Sequence, residues 1–294
     1  MTTLVAFKLL TTPLLIWAAT LAARRWGPFV GGGIAGLPVI SGPASAFITA
    51  EQGTAFSAAA SYSALLGIGV TCFYCLAYAW TARRHGWPPC LLAAFAAFLI
   101  IGEAARFLPH SLALACAVGA AGPPLILRLM PPMPEEQPSN RPRRAWLLPV
   151  QMTLGGLAVW GLTTASAALG AAWSGLLMVF PVMVSVMTPF AHASGGPRAA
   201  LLTLRGLMAG FTGGSSFTIC VACLLERLGP LPCYALATAA SLATSFAVSL
   251  FCLRETRRTG GAAGRLLNCA SSSRISHRTE DTAQREPDAA AQGR

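Results

Sequence analysis

The chain has 294 residues, 54% of them apolar and only 11% charged, with a formal net charge of +11 and a mean hydropathy of +0.60. A water-soluble domain carries about 25% charged residues, so this composition excludes a surface facing mostly water and leaves lipid as the principal solvent. The positive charge would suggest nucleic acid in a soluble protein, but here the arginines fall in short loops and in the C-terminal tail, where they set topology rather than bind a polyanion.

Inside hydrocarbon no backbone N–H or C=O can stay unpaired, which leaves helices or closed barrels. Period-2 alternation is absent and apolar runs of roughly 20 residues recur, so the expected class is all-α integral membrane, with about nine transmembrane helices. In chain order the expected spans are Thr2–Ala23, Pro28–Ala50, Ala55–Thr81, Pro88–Phe107 and His110–Met130. The first run lacks a basic leader and is followed by Arg24-Arg25, so it reads as a retained anchor rather than a cleaved signal. A linker rich in proline and charge, Pro131–Arg144, cannot lie in lipid. Four more spans follow, Ala145–Ser166, Leu169–Phe190, Arg198–Leu224 and Leu231–Leu253, and then the polar segment Arg254–Arg294, which reads as a disordered basic tail.

With the N-terminus outside, the loops assigned to the inside hold Arg24-Arg25, Arg83-Arg84, Arg128 with Arg141, Arg143 and Arg144, then Arg198, and finally Arg254, Arg257 and Arg258. The loops assigned to the outside hold little more than Arg106 and Arg227. The expected orientation in a bacterial inner membrane is therefore N-out and C-in.

At one offset, 143 residues, the two halves of the chain match without a gap. Trp17 falls on Trp160, Gly27 on Gly170, Gly32 on Gly175, Pro38-Val39 on Pro181-Val182, and Phe47 on Phe190. Gly53 falls on Gly196, Gly67 on Gly210, Arg84 on Arg227, Gly86 on Gly229, and Pro89-Cys90 on Pro232-Cys233. Agreement of Trp, Pro and Gly at a single offset marks a repeat. Residues 1–107 form the first four-helix unit and 145–253 the second. Residues 108–144 supply an adaptor helix without a counterpart, together with a cytoplasmic linker. Five crossings precede the second unit, so it enters from the opposite side and the two units are inverted, an arrangement common in secondary transporters.

The second half resembles the GlpM family of small bacterial inner-membrane proteins. The residues concerned are Trp173-Ser174-Gly175-Leu176 running into Phe180-Pro181, then His192, Gly195-Gly196-Pro197-Arg198, Leu204-Arg205-Gly206 and Leu228-Gly229. The first half keeps Gly36-Leu37-Pro38 but carries Thr49 in place of His192 and Tyr62 in place of Arg205. The resemblance implies a four-helix inner-membrane unit, here duplicated, and implies no chemical activity.

Ionisable groups within spans are the first candidates for function. Lys8, Glu51 and Glu103 all fall toward the outside, where they form a polar vestibule for a solute or proton or, alternatively, snorkel to the interface. Glu103 and Arg106 stand three apart on one helix face and can pair. Arg205, two turns into its helix, suits an anionic group or a lipid phosphate. Gly32, Gly36 and Pro38 in the first half and Gly175 and Pro181 in the second mark helix breaks at matching places, which indicate either a substrate path or close packing. Two Cys-x-x-Cys pairs, Cys72/Cys75 and Cys220/Cys223, read as buried small hydrophobes rather than as a zinc or redox site. No catalytic residue, metal site or cofactor is expected. The expected partners are the lipid bilayer and a small solute or lipid intermediate, and the two function classes that remain are a transporter and a non-transporting scaffold or accessory subunit of an envelope polysaccharide system.

Overall fold

A computed structural model describes residues 14–134 (apart from 15, 40 and 110), 147–169 and 181–252. Within them the secondary structure is helix and turn throughout, as a lipid-embedded backbone requires. The helices are α1 (16–26), α2 (Pro28–Gly36), α3 (Ser41–Gln52), α4 (Thr54–Thr81), α5 (Trp87–Ala105), α6 (Leu112–Leu129), α7 (Leu147–Leu169), α8 (Val182–Leu228) and α9 (Pro230–Cys252). Six segments are long and apolar enough to cross a membrane: Pro28–Gln52, α4, α5, α6, α8 and α9. The chain is therefore all-helical and of a form compatible with a multi-pass membrane protein.

Local chemistry sets most boundaries. Proline occupies the first turn of α2 and of α5, where its missing N–H has no intrahelical partner to lose. Ser111 caps α6, its hydroxyl accepting from the Leu114 N–H at 3.5 Å. Gly27, Gly53, Gly196 and Gly229 all have positive φ, between 72° and 97°, and three of them separate consecutive helices. Gly196 lies inside α8 and divides that 47-residue element by a kink (φ 72°, ψ −172°). A straight helix of that length would run about 70 Å, more than twice the hydrocarbon thickness.

These breaks follow the 143-residue offset. The break at Gly53 (φ 86°, ψ 170°) recurs at Gly196 with nearly the same backbone angles. α5 begins at Trp87 and α9 at Pro230, again 143 apart. Pro38 lies in a turn and Pro181 precedes α8 in a non-helical conformation, whereas Gly32 and Gly36 of the first expected break lie within helix α2 and Gly175 of the second lies outside the described residues. The turn at 37–39 divides the span expected at Pro28–Ala50, because Pro38 cannot continue the hydrogen-bond ladder. One detail differs from expectation: the loop expected between Phe190 and Arg198 is helical up to the kink at Gly196. Most of the linker, all of the tail, and residues 170–180 of the seventh expected span lie outside the described residues.

The contacts below all belong to the compact unit Met1–Ser249. Its main core is formed by Tyr74 and Tyr78 of α4, Phe98 of α5, Ile126 of α6, and Leu201, Leu204 and Met208 of α8. The helices have readable directions. Tyr62 near the start of α4 donates to the Pro109 carbonyl just before α6, and Trp80 at the end of α4 donates to the Leu129 carbonyl at the end of α6. Those two helices therefore run parallel. α8 runs against them: its early residue His192 meets Tyr78 late in α4, while its late residues Ala222 and Glu226 face Ala55 and Ala58 at the start of α4. By these contacts α4 and α8 run antiparallel.

Candidate functional site

Gly32 and Gly36 of α2 pack directly on α8. A methyl group at Gly32 would overlap the Thr203 carbonyl oxygen, and one at Gly36 would come within 2.5 Å of the Leu207 oxygen and 2.9 Å of the Gly210 Cα. Reciprocally, a methyl at Gly206 would overlap the Phe29 carbonyl, and one at Gly210 would lie 2.7 Å from the Gly36 Cα. Gly32 and Gly36 are one turn apart on α2, as are Gly206, Gly210 and Gly214 on α8. Small residues at that spacing let two backbones approach in lipid, where dispersion rather than a hydrophobic drive holds helices together. The α-carbons of Gly32 and Gly36 are covered by protein.

Polar contacts begin where α2 gives way to α3. The Thr49 hydroxyl lies 2.7 Å from the Tyr234 hydroxyl of α9, and Ser45 lies 2.9 Å from the same oxygen and 3.3 Å from the Ser57 hydroxyl of α4. Thr49 also donates to the Ser45 carbonyl at 2.9 Å. His192, 143 residues after Thr49 in the sequence, also reaches a tyrosine: Tyr78 Oη and His192 Nδ1 are 3.2 Å apart, both groups buried, their rings edge to face. Apolar surroundings strengthen such bonds and make the groups expensive to leave unpaired. Sequence reasoning noted Thr49 only as a departure between the halves, expected His192 to be structural and bonded to a nearby carbonyl, and missed Ser45, Ser57, Tyr78 and Tyr234. The usable signal was hydroxyl residues inside apolar runs, which is weak, because serine and threonine commonly bond their own helix carbonyls.

Arg205 donates from Nη2 to the Pro131 carbonyl at 3.0 Å, and Arg198, two turns earlier, donates from Nη1 to the Pro134 carbonyl at 3.1 Å. The prolines leave their carbonyls outside any helix ladder, and the two guanidinium groups satisfy them. Arg205 therefore holds the exit of α6. Glu103 pairs with Arg106 on its own helix, oxygen to nitrogen 3.0 Å, as their spacing suggests; Arg106 is exposed and Glu103 half-buried. Glu51 is exposed in the last turn of α3. Lys8 and Gly175 lie outside the described residues. Pro181 is buried ahead of α8 and its carbonyl accepts from the Ser185 hydroxyl and backbone N–H.

An open groove of about 430 Å³ lies between the first turns of α4 and α6 and the last turns of α8. Ala55, Ala58, Tyr62, Leu112, Ala222 and Glu226 are among its lining residues. Tyr62 and Glu226 supply polar groups to an otherwise apolar wall. Comparison of the chain with known protein families, with curated proteins and with solved structures gives no match.

Proposed function

We propose that the chain is a carrier of a small solute or lipid intermediate, built from two inverted four-helix units joined by one adaptor helix. In this reading nine spans cross a bacterial inner membrane, with the N-terminus outside and the C-terminus in the cytoplasm, and each unit is akin to a GlpM-like protein. The observation that carries it is that Thr49 and His192, 143 residues apart, each bond a tyrosine across the offset, Tyr234 and Tyr78, although the two tyrosines are not themselves 143 apart. The antiparallel course of α4 and its equivalent in α8 supports the inversion. In a carrier, hydrogen bonds between halves are the contacts that exchange as the site faces one side and then the other. They are individually weak, on the order of 1 kcal/mol, which suits a contact that must break on each cycle.

The test has two parts. Single cysteines at Glu51 and Ser194, which are repeat-equivalent and both exposed, are introduced on a cysteine-free background and treated in intact cells with an impermeant thiol reagent. Labelling at position 51 alone is the outcome expected of inverted units; labelling at both means parallel units and removes the carrier reading. Proteoliposomes challenged with small polyols should then relax faster than empty vesicles, and Thr49→Val should slow them.

A second reading, a membrane scaffold or accessory subunit of an envelope polysaccharide system, draws on the glycine contact. Gly32 and Gly36, where a substrate path was expected, are closed against α8 by backbone. That reading expects inverted labelling without any solute flux.

A further inference from the structure

The walls of the groove between α4, α6 and α8 specify an occupant. Ala55, Ala58, Ala59 and Tyr62 of α4 line it, at spacings of three and four that put them on one helix face. Alanine leaves only a methyl group where most helix positions carry a longer side chain, so the three alanines form a trough. Ala222 of α8 adds a fourth methyl, and Leu112 of α6 an apolar branch. The volume, about 430 Å³, is of the size that holds one small ligand.

Two residues of the wall are polar. The Tyr62 hydroxyl donates to the Pro109 carbonyl at 3.3 Å, so Tyr62 offers a ligand chiefly its ring. Glu226 is exposed in the last turn of α8 and enters no ion pair among the described residues. The other charges at this end of the bundle do not line the groove: Glu103 pairs with Arg106 on α5, and Glu51 and Arg227 are absent from the wall. Ala55 and Leu112 belong to the first turns of their helices, so the mouth lies at the helix ends with Glu226 beside it. From there the apolar trough runs inward along α4 to Tyr62, a distance of about 10 Å.

We propose that this groove binds an amphiphilic amine, a molecule with one ammonium group and one slender apolar chain. The ammonium meets the Glu226 carboxylate at the mouth, where both keep contact with water, and the chain lies along Ala55, Ala58, Ala59 and Ala222 towards Tyr62. Charge complementarity disfavours the alternatives. An anionic amphiphile would bring like charge to Glu226. A zwitterionic phospholipid would bring a phosphate along with its ammonium, and the wall holds no cation to meet it. A neutral alcohol would gain the trough without the ion pair. The site is independent of the carrier reading, since binding needs neither inversion nor flux.

The test uses the purified full chain in nonionic detergent and dodecylamine carrying a photoreactive diazirine in its chain, with adducts mapped by peptide mass spectrometry. Adducts should concentrate on residues 55–62 and 222–226. They should fall when unlabelled dodecylamine is added in excess, and persist when dodecanol or phosphatidylethanolamine is added instead. Glu226→Gln should weaken the apparent affinity about fivefold, near the most that an exposed ion pair supplies. Ala59→Leu fills the trough and should remove the adducts while Glu226 remains. Protection of the buried Cys72 and Cys75 from alkylation reports that each variant is folded, and if either is not, the competition experiments on the unaltered chain decide. Equal competition by dodecanol would make the groove a general apolar surface, and competition by phosphatidylethanolamine would make it a phospholipid site. Either result, or an unchanged affinity in Glu226→Gln, overturns the proposal.

Discussion

Helix α8 meets its neighbours in two different ways. Against α2 it offers backbone: Gly206 and Gly210 lie on Gly33, Gly36 and the Phe29 carbonyl, and the two backbones are in contact there. Against α4, a few turns earlier, it offers an imidazole that bonds a tyrosine hydroxyl. A backbone contact has no rotamer to change and tolerates no added atom, whereas a side-chain bond can be broken and remade by torsion alone. The first kind fixes one arrangement and the second permits several, so the rigid and the exchangeable parts of the interface between halves are distinguished by chemistry.

Substitutions can break that distinction, beginning with the largest effect. Gly206→Leu should abolish the folded protein, because four carbons would have to enter space held by the Phe29 carbonyl; overpacking of even a compliant core costs about 1–3 kcal/mol. Size-exclusion of a fluorescent fusion after a heating series measures the loss. The control is Gly161→Ala in α7, where a methyl meets nothing within 4 Å and stability should be unchanged or rise by up to about 1 kcal/mol.

Arg205→Ala comes next. It removes a charge-assisted bond to the Pro131 carbonyl, worth about 1.5–3 kcal/mol, and should lower the apparent Tm while leaving inserted topology unchanged. Smaller again is Tyr78→Phe, which removes the hydroxyl facing His192. A double-mutant cycle with His192→Leu should return a coupling near 0.6 kcal/mol, the average for polar contacts between membrane helices. A coupling several times larger would show that this contact is as fixed as the glycine one. At the small end, Glu103→Gln removes an ion pair whose groups are 39–47% exposed and should change Tm within error, since exposed pairs contribute about 0–1 kcal/mol.

Much of the fold was legible in the sequence because lipid imposes strict rules. The spans ending at Thr81 and beginning near His110 were readable from apolar length, and the breaks at Pro38 and Pro181 from proline's missing donor. Gly53 and Gly196 were read as a matched pair between expected spans, and the chain breaks or kinks at both. What the sequence hid was partnership. Hydropathy gives one number per residue and no neighbour, so Gly32 and Gly36 looked equally suited to a path or a packing face until α8 was placed on them. Tyr78 and Tyr234 were invisible as site residues, since an apolar run containing tyrosine reads the same whether or not its hydroxyl meets a partner. Arg205 was recognised as a committed charge, but its acceptor is a backbone carbonyl, which no side-chain pattern encodes.

The contact between Gly32 and Thr203 also sets a timetable. A ribosome adds residues at about 5–20 per second, so the surface that α2 needs is made roughly 10–35 s after α2 itself. Throughout that interval the glycine face has no matching backbone, and lipid chains or a helper protein must cover it. The finished molecule is closed from its later half backwards, and a ribosome stalled before residue 203 would leave α2 without its principal neighbour.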